Sequence, residues 1–139
     1  MVFHKTLSFD IAARTFRMIT TDVAECVRAS GVKDGLCTVF IRHTSASVLI
    51  TENADSAVRR DLEKFMRRVA PDGSPDYEHD TEGPDDMPAH IRNMLTASSI
   101  SVPIIDGELA LGTWQGVYVW EHRAHRHSRE IIVTVVGEK

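Results

Sequence analysis

Alternating apolar and polar residues open the chain. Residues 2–9 repeat with a period of two, which predicts a half-buried β-strand, and residues 14–20 are predicted as its hairpin partner. A short helix is predicted to follow. Its start is placed at Thr21 or Asp22 by a capping-box pattern, and its end is placed at Gly31. The chain is therefore expected to begin with a β-hairpin and a helix.

The clearest helical pattern covers Ala54–Val69, where apolar residues recur at helical spacing and Asn53 is suited to be the N-cap. The opposite face of this helix is basic and carries Arg59, Arg60, Lys64, Arg67 and Arg68. A basic face can bind nucleic acid, but Asp61 and Glu63 lie among these cations. A solvated face is therefore the favoured interpretation.

Sequential β segments dominate the rest of the chain. Strands are predicted at 36–43, 47–51, 99–104, 108–111, 115–121 and 130–136, and a third helix is predicted at 88–95. Because these segments do not alternate regularly as βαβ units, and no repeat or linker divides the sequence, we expect a single domain over residues 1–139. Its predicted class is α+β: a mostly antiparallel β-sandwich with about three helices packed on it.

Composition narrows the setting of this domain. The 139 residues include 16 Lys and Arg against 20 Asp and Glu, a net charge of −4, and seven histidines. Neither nucleic acid nor a membrane is an expected partner, because the chain is mildly acidic and no apolar run is long enough to span a bilayer. The first residues lack the apolar stretch of a signal peptide, and Cys26 and Cys37 are too few for a disulfide framework. A cytoplasmic protein with reduced thiols is therefore expected.

The segment 70–88 concentrates four of the five prolines and seven carboxylates. A loop of this length within a compact domain is usually functional or disordered. His79 lies in this loop, and His90 falls on the first turn of the third predicted helix, close to Asp85 and Asp86. Neutral imidazoles beside carboxylates can bind a metal or accept a proton. A solvated acidic loop is the alternative interpretation.

Two predicted strand ends carry the remaining candidate chemistry. His43 ends a core-like strand and is followed by hydroxyl residues including Ser45, which is typical either of a site or of a capped turn. The later strand ends on Glu121, His122 and Arg123. Alternation places Glu121 and His122 on opposite faces of that strand. Arg123 suits either a phosphate anchor or an ion pair at the strand end.

Three strings, taken together, resemble the YjbQ-like family, often labelled secondary thiamine-phosphate synthase. They are HTSAS at 43–47, HDTEGPDDMPAH at 79–90 and WQGVYVWEHR at 114–123, and the resemblance runs over nearly the whole chain. It implies a β-sandwich assembled as a homotrimer, with histidines gathered around a metal or anion site. The activity it implies is condensation of hydroxymethylpyrimidine diphosphate with thiazole phosphate, which releases pyrophosphate. That activity is considered secondary.

The residues and the resemblance together lead to the hypothesis of a metal-assisted enzyme that acts on a small phosphorylated metabolite. Its expected metal ligands are His79, His90 and His122, its expected catalytic residues are His43 and Glu121, and its expected substrate-binding residues are Ser45, Asn53, Gln115 and Arg123. Histidine ligands suit zinc or another transition metal better than magnesium, which stays open. Two alternatives use the same residues: a non-catalytic trimeric module that binds an anion or metal, and a metal-dependent hydrolase of a phosphorylated metabolite.

Overall fold

Two antiparallel sheets form the framework of the computed structural model, which describes residues 1–139. The strands are β1 (Val2–Ile11), β2 (Phe16–Met18), β3 (Asp34–Ile41), β4 (Ala46–Glu52), β5 (Ser99–Ile105), β6 (Glu108–Leu109), β7 (Gln115–Glu121) and β8 (His127–Glu138). The helices are α1 (Thr20–Ser30), α2 (Ser56–Val69) and α3 (Asp86–Leu95). Sheet A has the strand order β1-β8-β3-β5-β6, and sheet B has the order β2-β7-β4. The predicted α+β sandwich with three helices is confirmed.

The core lies between the two sheets, where alternate residues of the strands turn inward. Ile131, Val133 and Val135 of β8 are fully buried, whereas the residues between them are not. The apolar stripe of α1, formed by Val23, Cys26 and Val27, joins the same cluster of 18 buried residues. The period-two pattern of the strands and the helical period of α1 therefore meet in one interior.

β7 is buried on both faces. Every residue from its second to its last is buried, and alternate ones belong to the core between the sheets. The other face lies against α2, where Tyr118 accepts a hydrogen bond from Arg59 at 3.0 Å and Trp120 Nε1 donates to Glu63 at 3.3 Å. Because α2 covers this outer face of sheet B, the end of β7 lies in the interior of the protein.

The predicted hairpin between the first two strands is wrong. β1 pairs with β8 in sheet A, and β2 pairs with β7 in sheet B. The chain crosses between the sheets at Arg14, which has a φ of 48° and whose amide donates to the Arg123 carbonyl at 3.1 Å. Phe16 then stacks on Trp120, with ring centroids 4.2 Å apart. Burial of aromatic surface against β7 accounts for the position of β2.

Two predicted helix caps are also wrong. α1 begins at Thr20 without a side-chain cap, so neither Thr21 nor Asp22 has that role. α2 is capped by Asp55, whose carboxylate accepts the amide of the second helical residue, and not by Asn53. The predicted end of α1 is confirmed, since Gly31 follows it in the left-handed conformation.

The outer face of sheet A carries exposed apolar side chains. Leu36 of β3 lies opposite Val136 of β8, and Phe40 lies four residues along the same face. These three side chains are 45%, 47% and 45% exposed, in that order. No helix of the protein combines the length and the apolar character that crossing a bilayer requires.

Candidate functional site

The loop between α2 and α3 brings two histidines and an aspartate together. Asp86 Oδ2 lies 2.7 Å from His79 Nε2 and 3.0 Å from His90 Nε2. The candidate ligand atoms of the three residues lie within 4.8 Å of one another. Asp86 and His90 share one face of α3 because they are four residues apart, and the acidic loop adds His79. We call these three residues the His–Asp cluster.

The donor set of the His–Asp cluster fits a transition metal. Imidazole nitrogen together with carboxylate oxygen is a usual ligand set for zinc and for other first-row transition metals, whereas magnesium prefers oxygen alone. The side chains of His79 and His90 are 42% and 31% exposed, so solvent reaches the cluster. Three protein ligands with an accessible side resemble a catalytic metal site, which keeps a position open for water or substrate.

Arg123 fastens the acidic loop to the end of β7. Its guanidinium contacts Asp85 Oδ2 at 2.9 Å, Asp86 Oδ1 at 3.0 Å and the Glu82 carbonyl at 2.9 Å. Burial opposes ionisation of Asp85, but hydrogen bonds from Arg123 and from the Ala124 amide lower its pKa to about 2. From the sequence, Arg123 is expected to be either a phosphate anchor or part of an ion pair at the strand end. In the structure it forms the ion pair.

Within the His–Asp cluster, the surroundings favour a negative charge on Asp86 and a positive charge on His79. Burial opposes ionisation of Asp86, but its hydrogen bond with His79 and the charge of Arg123 lower its pKa. The hydrogen bond with Asp86 raises the pKa of His79. One carboxylate is thus the negative centre that both imidazoles contact, and a metal ion would bind there in competition with protons.

The HTSAS turn after β3 lies against α3. The carbonyl of Thr44 is 2.8 Å from His90 Nδ1, and Asn93 donates to the carbonyl of Ala46 at 2.8 Å. A backbone acceptor on Nδ1 holds that proton and leaves Nε2 of the same ring for a metal, which is how metal-binding histidines are commonly oriented. The turn therefore orients His90 within the His–Asp cluster.

His43 lines a cavity of about 540 Å³ beside this turn, together with Ser45 and Asn93. Its Nε2 accepts a hydrogen bond from the Glu130 amide at 2.8 Å, so the proton of the neutral ring is on Nδ1. Burial, followed by the charge of Arg129, lowers the pKa of His43. The structure thus presents a neutral imidazole at a cavity wall, with Nδ1–H as its remaining donor. A general acid or base role for His43 stays a prediction.

Glu121 is bound inside the protein by Arg129, and Arg129 and Ser45 both line the cavity beside the HTSAS turn. Glu121 is fully buried, and Arg129 Nε donates to its Oε1 at 2.6 Å. Arg129 also donates to the Ser45 carbonyl at 3.1 Å and to its hydroxyl at 3.0 Å. We call Glu121 and Arg129 the buried pair. A carboxylate with this partner contributes to the internal structure of the strand end and does not join the His–Asp cluster.

His122 is enclosed as well. Its Nε2 lies 2.7 Å from the Ser47 hydroxyl, and its buried Nδ1 has no hydrogen-bond partner. Burial and then the nearby charge of Arg92 lower the pKa of His122 to about 3. His122 is therefore neutral near pH 7. The structure does not bring it to His79 and His90, because both faces of β7 are covered where the strand ends.

Asn53 and Gln115 lie at the far end of sheet B. β4 and β7 are antiparallel, and Glu121 and Gln115 mark opposite ends of the pair. Six residue steps along a strand span roughly 20 Å. Both Asn53 and Gln115 hydrogen-bond to the backbone around the turn that leads into β7. Within one chain, the four predicted substrate-binding residues therefore do not form one site.

Two features of the site are absent from the predictions. Asp86 is not among the predicted ligands, although its spacing of four from His90 on a helix is a usable signal. Glu63 and Arg92 form a second buried ion pair, 2.7 Å from Oε1 to Nη1, between α2 and α3. No sequence signal identifies that pair, because Glu63 lies among the cations of a helix face that is expected to be solvated.

Comparison with known proteins decides the family. The sequence profile described as UPF0047 protein YjbQ-like matches residues 5–138. The chain belongs to the YjbQ (UPF0047) family. A UPF0047 protein of Synechocystis sp. is 53% identical over 125 residues, which cover 90% of this chain and 85% of that protein. The YjbQ protein of Escherichia coli O157:H7 is 41% identical over 139 residues, which cover 99% of this chain and 100% of that protein.

A solved YjbQ-family structure agrees with this assignment. The crystal structure of an uncharacterized conserved protein of the YjbQ/UPF0047 family from Clostridium acetobutylicum superposes with a TM-score of 0.88 at 38% identity. The match covers 95% of this chain and 99% of that chain. The resemblance to the YjbQ family that the three strings indicate is therefore confirmed, and the fold is that of the family.

Proposed function

We propose that this protein is a metal-assisted enzyme that acts on a small phosphorylated metabolite, with thiamine-phosphate synthesis as the reaction to test first. The observation that carries the proposal is the His–Asp cluster, in which two imidazoles and a carboxylate converge at a solvent-accessible point. His90 has the orientation of a ligand because a backbone carbonyl holds Nδ1 while Nε2 contacts Asp86. The specific reaction rests on the family resemblance.

A transition metal in the cluster would supply a Lewis acid that polarises a phosphoryl oxygen and offsets the charge of a leaving diphosphate. His79, Asp86 and His90 would hold it. Arg123 positions Asp86 by contacting its other carboxylate oxygen at 3.0 Å. Because Arg123 is already paired with carboxylates, it does not neutralise an approaching diphosphate. The seven carboxylates of the loop would repel that anion, so a metal ion in the cluster is needed to offset their charge.

The cavity beside the HTSAS turn is the proposed place for the organic part of the substrate. Its volume of about 540 Å³ falls within the range of small-molecule sites. Thr44 lines this cavity and also contacts His90, so the cavity and the cluster are neighbours. In this proposal the Nδ1–H of His43 donates a hydrogen bond that orients the substrate.

The exposure of the cluster supports one second candidate, the hydrolysis of a phosphate ester. Solvent reaches the cluster, and a transition metal held by His79, Asp86 and His90 would supply activation of a water nucleophile near neutral pH. Glu82 places a carboxylate oxygen 3.2 Å from His79 Nε2 and is 64% exposed. In this candidate reaction, Glu82 is the general base that would deprotonate the attacking water.

We also propose that the protein is a cytoplasmic homo-oligomer, with a trimer as the state that the resemblance implies. Leu36, Phe40 and Val136 give the outer face of sheet A an apolar surface that association would remove from water. Light scattering is expected to report a trimer for the wild type and a smaller species for Phe40→Glu. A monomeric wild-type protein would contradict this proposal.

Metal binding is tested directly by titrating zinc against a chromophoric chelator. One ion per chain is expected for the wild type, and His90→Ala or Asp86→Asn is expected to weaken binding by about a hundredfold or more, since each removes a ligand. His125→Ala removes an exposed histidine outside the cluster and serves as the control. Equal zinc affinity in all four proteins would refute the proposed site.

Turnover then separates the candidate reactions. Pyrophosphate release that requires both thiamine precursors and the cluster residues would support the synthase. Release of phosphate from single phosphate esters would support the hydrolase instead. Binding of zinc and of a phosphorylated ligand without turnover of either kind would contradict both enzymes and favour the non-catalytic module.

A further inference from the structure

A second cavity lies between α2 and the connection from β1 to β2. It measures about 520 Å³, and its lining includes five cations: Arg14, Arg59, Arg60, Lys64 and Arg67. None of the three residues of the His–Asp cluster lines it. The basic face of α2, for which the sequence favours a solvated surface, thus forms one wall of a groove, and the connection from β1 to β2 forms the other wall.

The charge of this cavity is not cancelled by its own carboxylates. Glu63 is its only acidic lining residue, and it is already bound by Arg92 at 2.7 Å and by Arg67 at 3.0 Å. Arg14 is paired with Asp72, whereas Arg60 and Lys64 are paired with no carboxylate. In a chain of net charge −4, this is a local excess of positive charge.

Part of the cavity wall is held in a fixed orientation. Arg59 Nη1 donates to the Glu52 carbonyl at 2.9 Å and to the Tyr118 hydroxyl at 3.0 Å, and its guanidinium lies 5.0 Å from the Tyr118 ring centroid. The Arg14 guanidinium is held by the Asp72 carboxylate, to which Nη1 donates at 2.8 Å, and by the His122 carbonyl, to which Nε donates at 3.2 Å. Cations fixed before a ligand arrives bind it at a lower cost in side-chain entropy.

We infer that this cavity binds small organic phosphates that carry at least two negative charges. Guanidinium groups match phosphate oxygens in charge and geometry. The cavity has several times the volume of a phosphate ion, and only two of its ten lining residues are hydrophobic, so it suits a ligand with a polar organic part. The net charge of −4 gives the chain no general attraction for the extended backbone of a nucleic acid, which favours a small molecule here. This inference is independent of the metal-assisted reaction proposed above.

Calorimetric titration at low ionic strength with EDTA present tests the inference without any contribution from a bound metal. Ribose 5-phosphate, ADP and inorganic diphosphate are the probes. We expect one-to-one binding of at least one organic phosphate, weakened about tenfold or more in the double variant Arg60→Gln/Lys64→Gln, which loses two charged donors. Both side chains are exposed, so the variant is expected to fold.

Two controls keep the result specific. Arg28→Gln/Arg68→Gln removes the same charge from exposed positions outside the cavity and is expected to bind like the wild type. Asp86→Asn is expected to bind normally as well, so failure of the metal site and failure of this cavity are distinguishable. Equal loss in both double variants, loss in Asp86→Asn, preference for inorganic diphosphate, or no binding of either organic phosphate would each overturn the inference.

Discussion

The His–Asp cluster lies in the string at 79–90 and the buried pair includes Glu121 of the string at 114–123, yet the environments of these two regions are opposite. In the cluster, the imidazoles of His79 and His90 are open to solvent around one carboxylate. In the buried pair, Glu121 and Arg129 satisfy each other with side-chain exposures of 0% and 4%. Arg123, two residues from Glu121, belongs to the first region.

The difference shows that the chemical role of a charged residue does not follow from its place in one of the three strings. Charges that are buried and fully paired give structural definition to the end of β7, whereas charges that converge on an accessible point can bind a ligand. Mutations should therefore separate the two regions: those in the buried region should alter stability, and those in the exposed region should alter binding.

The largest effect is expected from Glu121→Gln. Removing one charge of the buried pair leaves Arg129 uncompensated in the interior, and we expect the free energy of unfolding to fall by about 3–5 kcal/mol. Urea denaturation followed by circular dichroism measures this loss. Glu130→Gln is the matched control, because Glu130 pairs with Arg42 at the surface and both side chains are about half exposed. That control is expected to cost less than about 1 kcal/mol. Similar losses in the two variants would contradict the claim that the buried pair stabilises the fold more than a surface pair does.

A second effect is expected from the pH dependence of His122. Its pKa is about 3 in the folded protein and 6.5 as the reference value, so between these limits only the unfolded chain gains a proton. Stability is therefore complete above pH 6.5 and falls as the pH is lowered, by roughly 2 kcal/mol at pH 5. Arg92, Arg129 and Arg14 are the charges that act on the ring, and all keep their protons in this range.

Urea denaturation at several pH values isolates this contribution. His122→Gln is expected to lose stability less steeply than the wild type between neutral pH and pH 5, as judged by the slope alone. His4→Gln changes an exposed histidine of β1 and is expected to keep the wild-type slope. If His122→Gln also keeps the wild-type slope, His122 is not buried in its neutral form.

The smallest effect is expected from Arg123→Gln. The variant keeps all three residues of the His–Asp cluster but removes the cation that positions Asp86, and we expect zinc affinity to fall by about tenfold. Arg126→Gln is the control, since Arg126 lies in the same turn and pairs only with Asp10 at the surface. An unchanged zinc affinity in Arg123→Gln would show that the acidic loop holds its form without this arginine.

Local pattern predicts the elements well where one period dominates. β7 has the predicted bounds of Gln115–Glu121, and α2 ends at the predicted Val69. Pairing depends on residues distant in sequence, and there the prediction fails: β2 joins β7 because Phe16 stacks on Trp120, which no local pattern reveals. Cap positions fail for a related reason, since Asn53 is recruited by the turn before β7.

In the candidate site, too, residues close in sequence are predicted together, whereas contacts between distant residues are not predicted. His79 and His90 are predicted together because one lies in the acidic loop and the other begins the helix after it, and the structure joins them through Asp86. The burial of His122 cannot be predicted from its string, because it depends on α2 covering a strand that ends in polar residues. The cationic cavity cannot be predicted for a similar reason, since Arg14 lies 42 residues before the start of α2, the helix whose cations it joins.

β8 lies between β1 and β3 in sheet A, although it is the last strand of the chain. It forms ladders with both neighbours over most of its length. During synthesis, β1 emerges from the ribosome first but has no partner until residues 127–138 have been made. Such non-local pairing slows folding, and unpaired strand edges invite association with other chains. The pairing edge of β1 is therefore expected to stay open to such association until β8 is available.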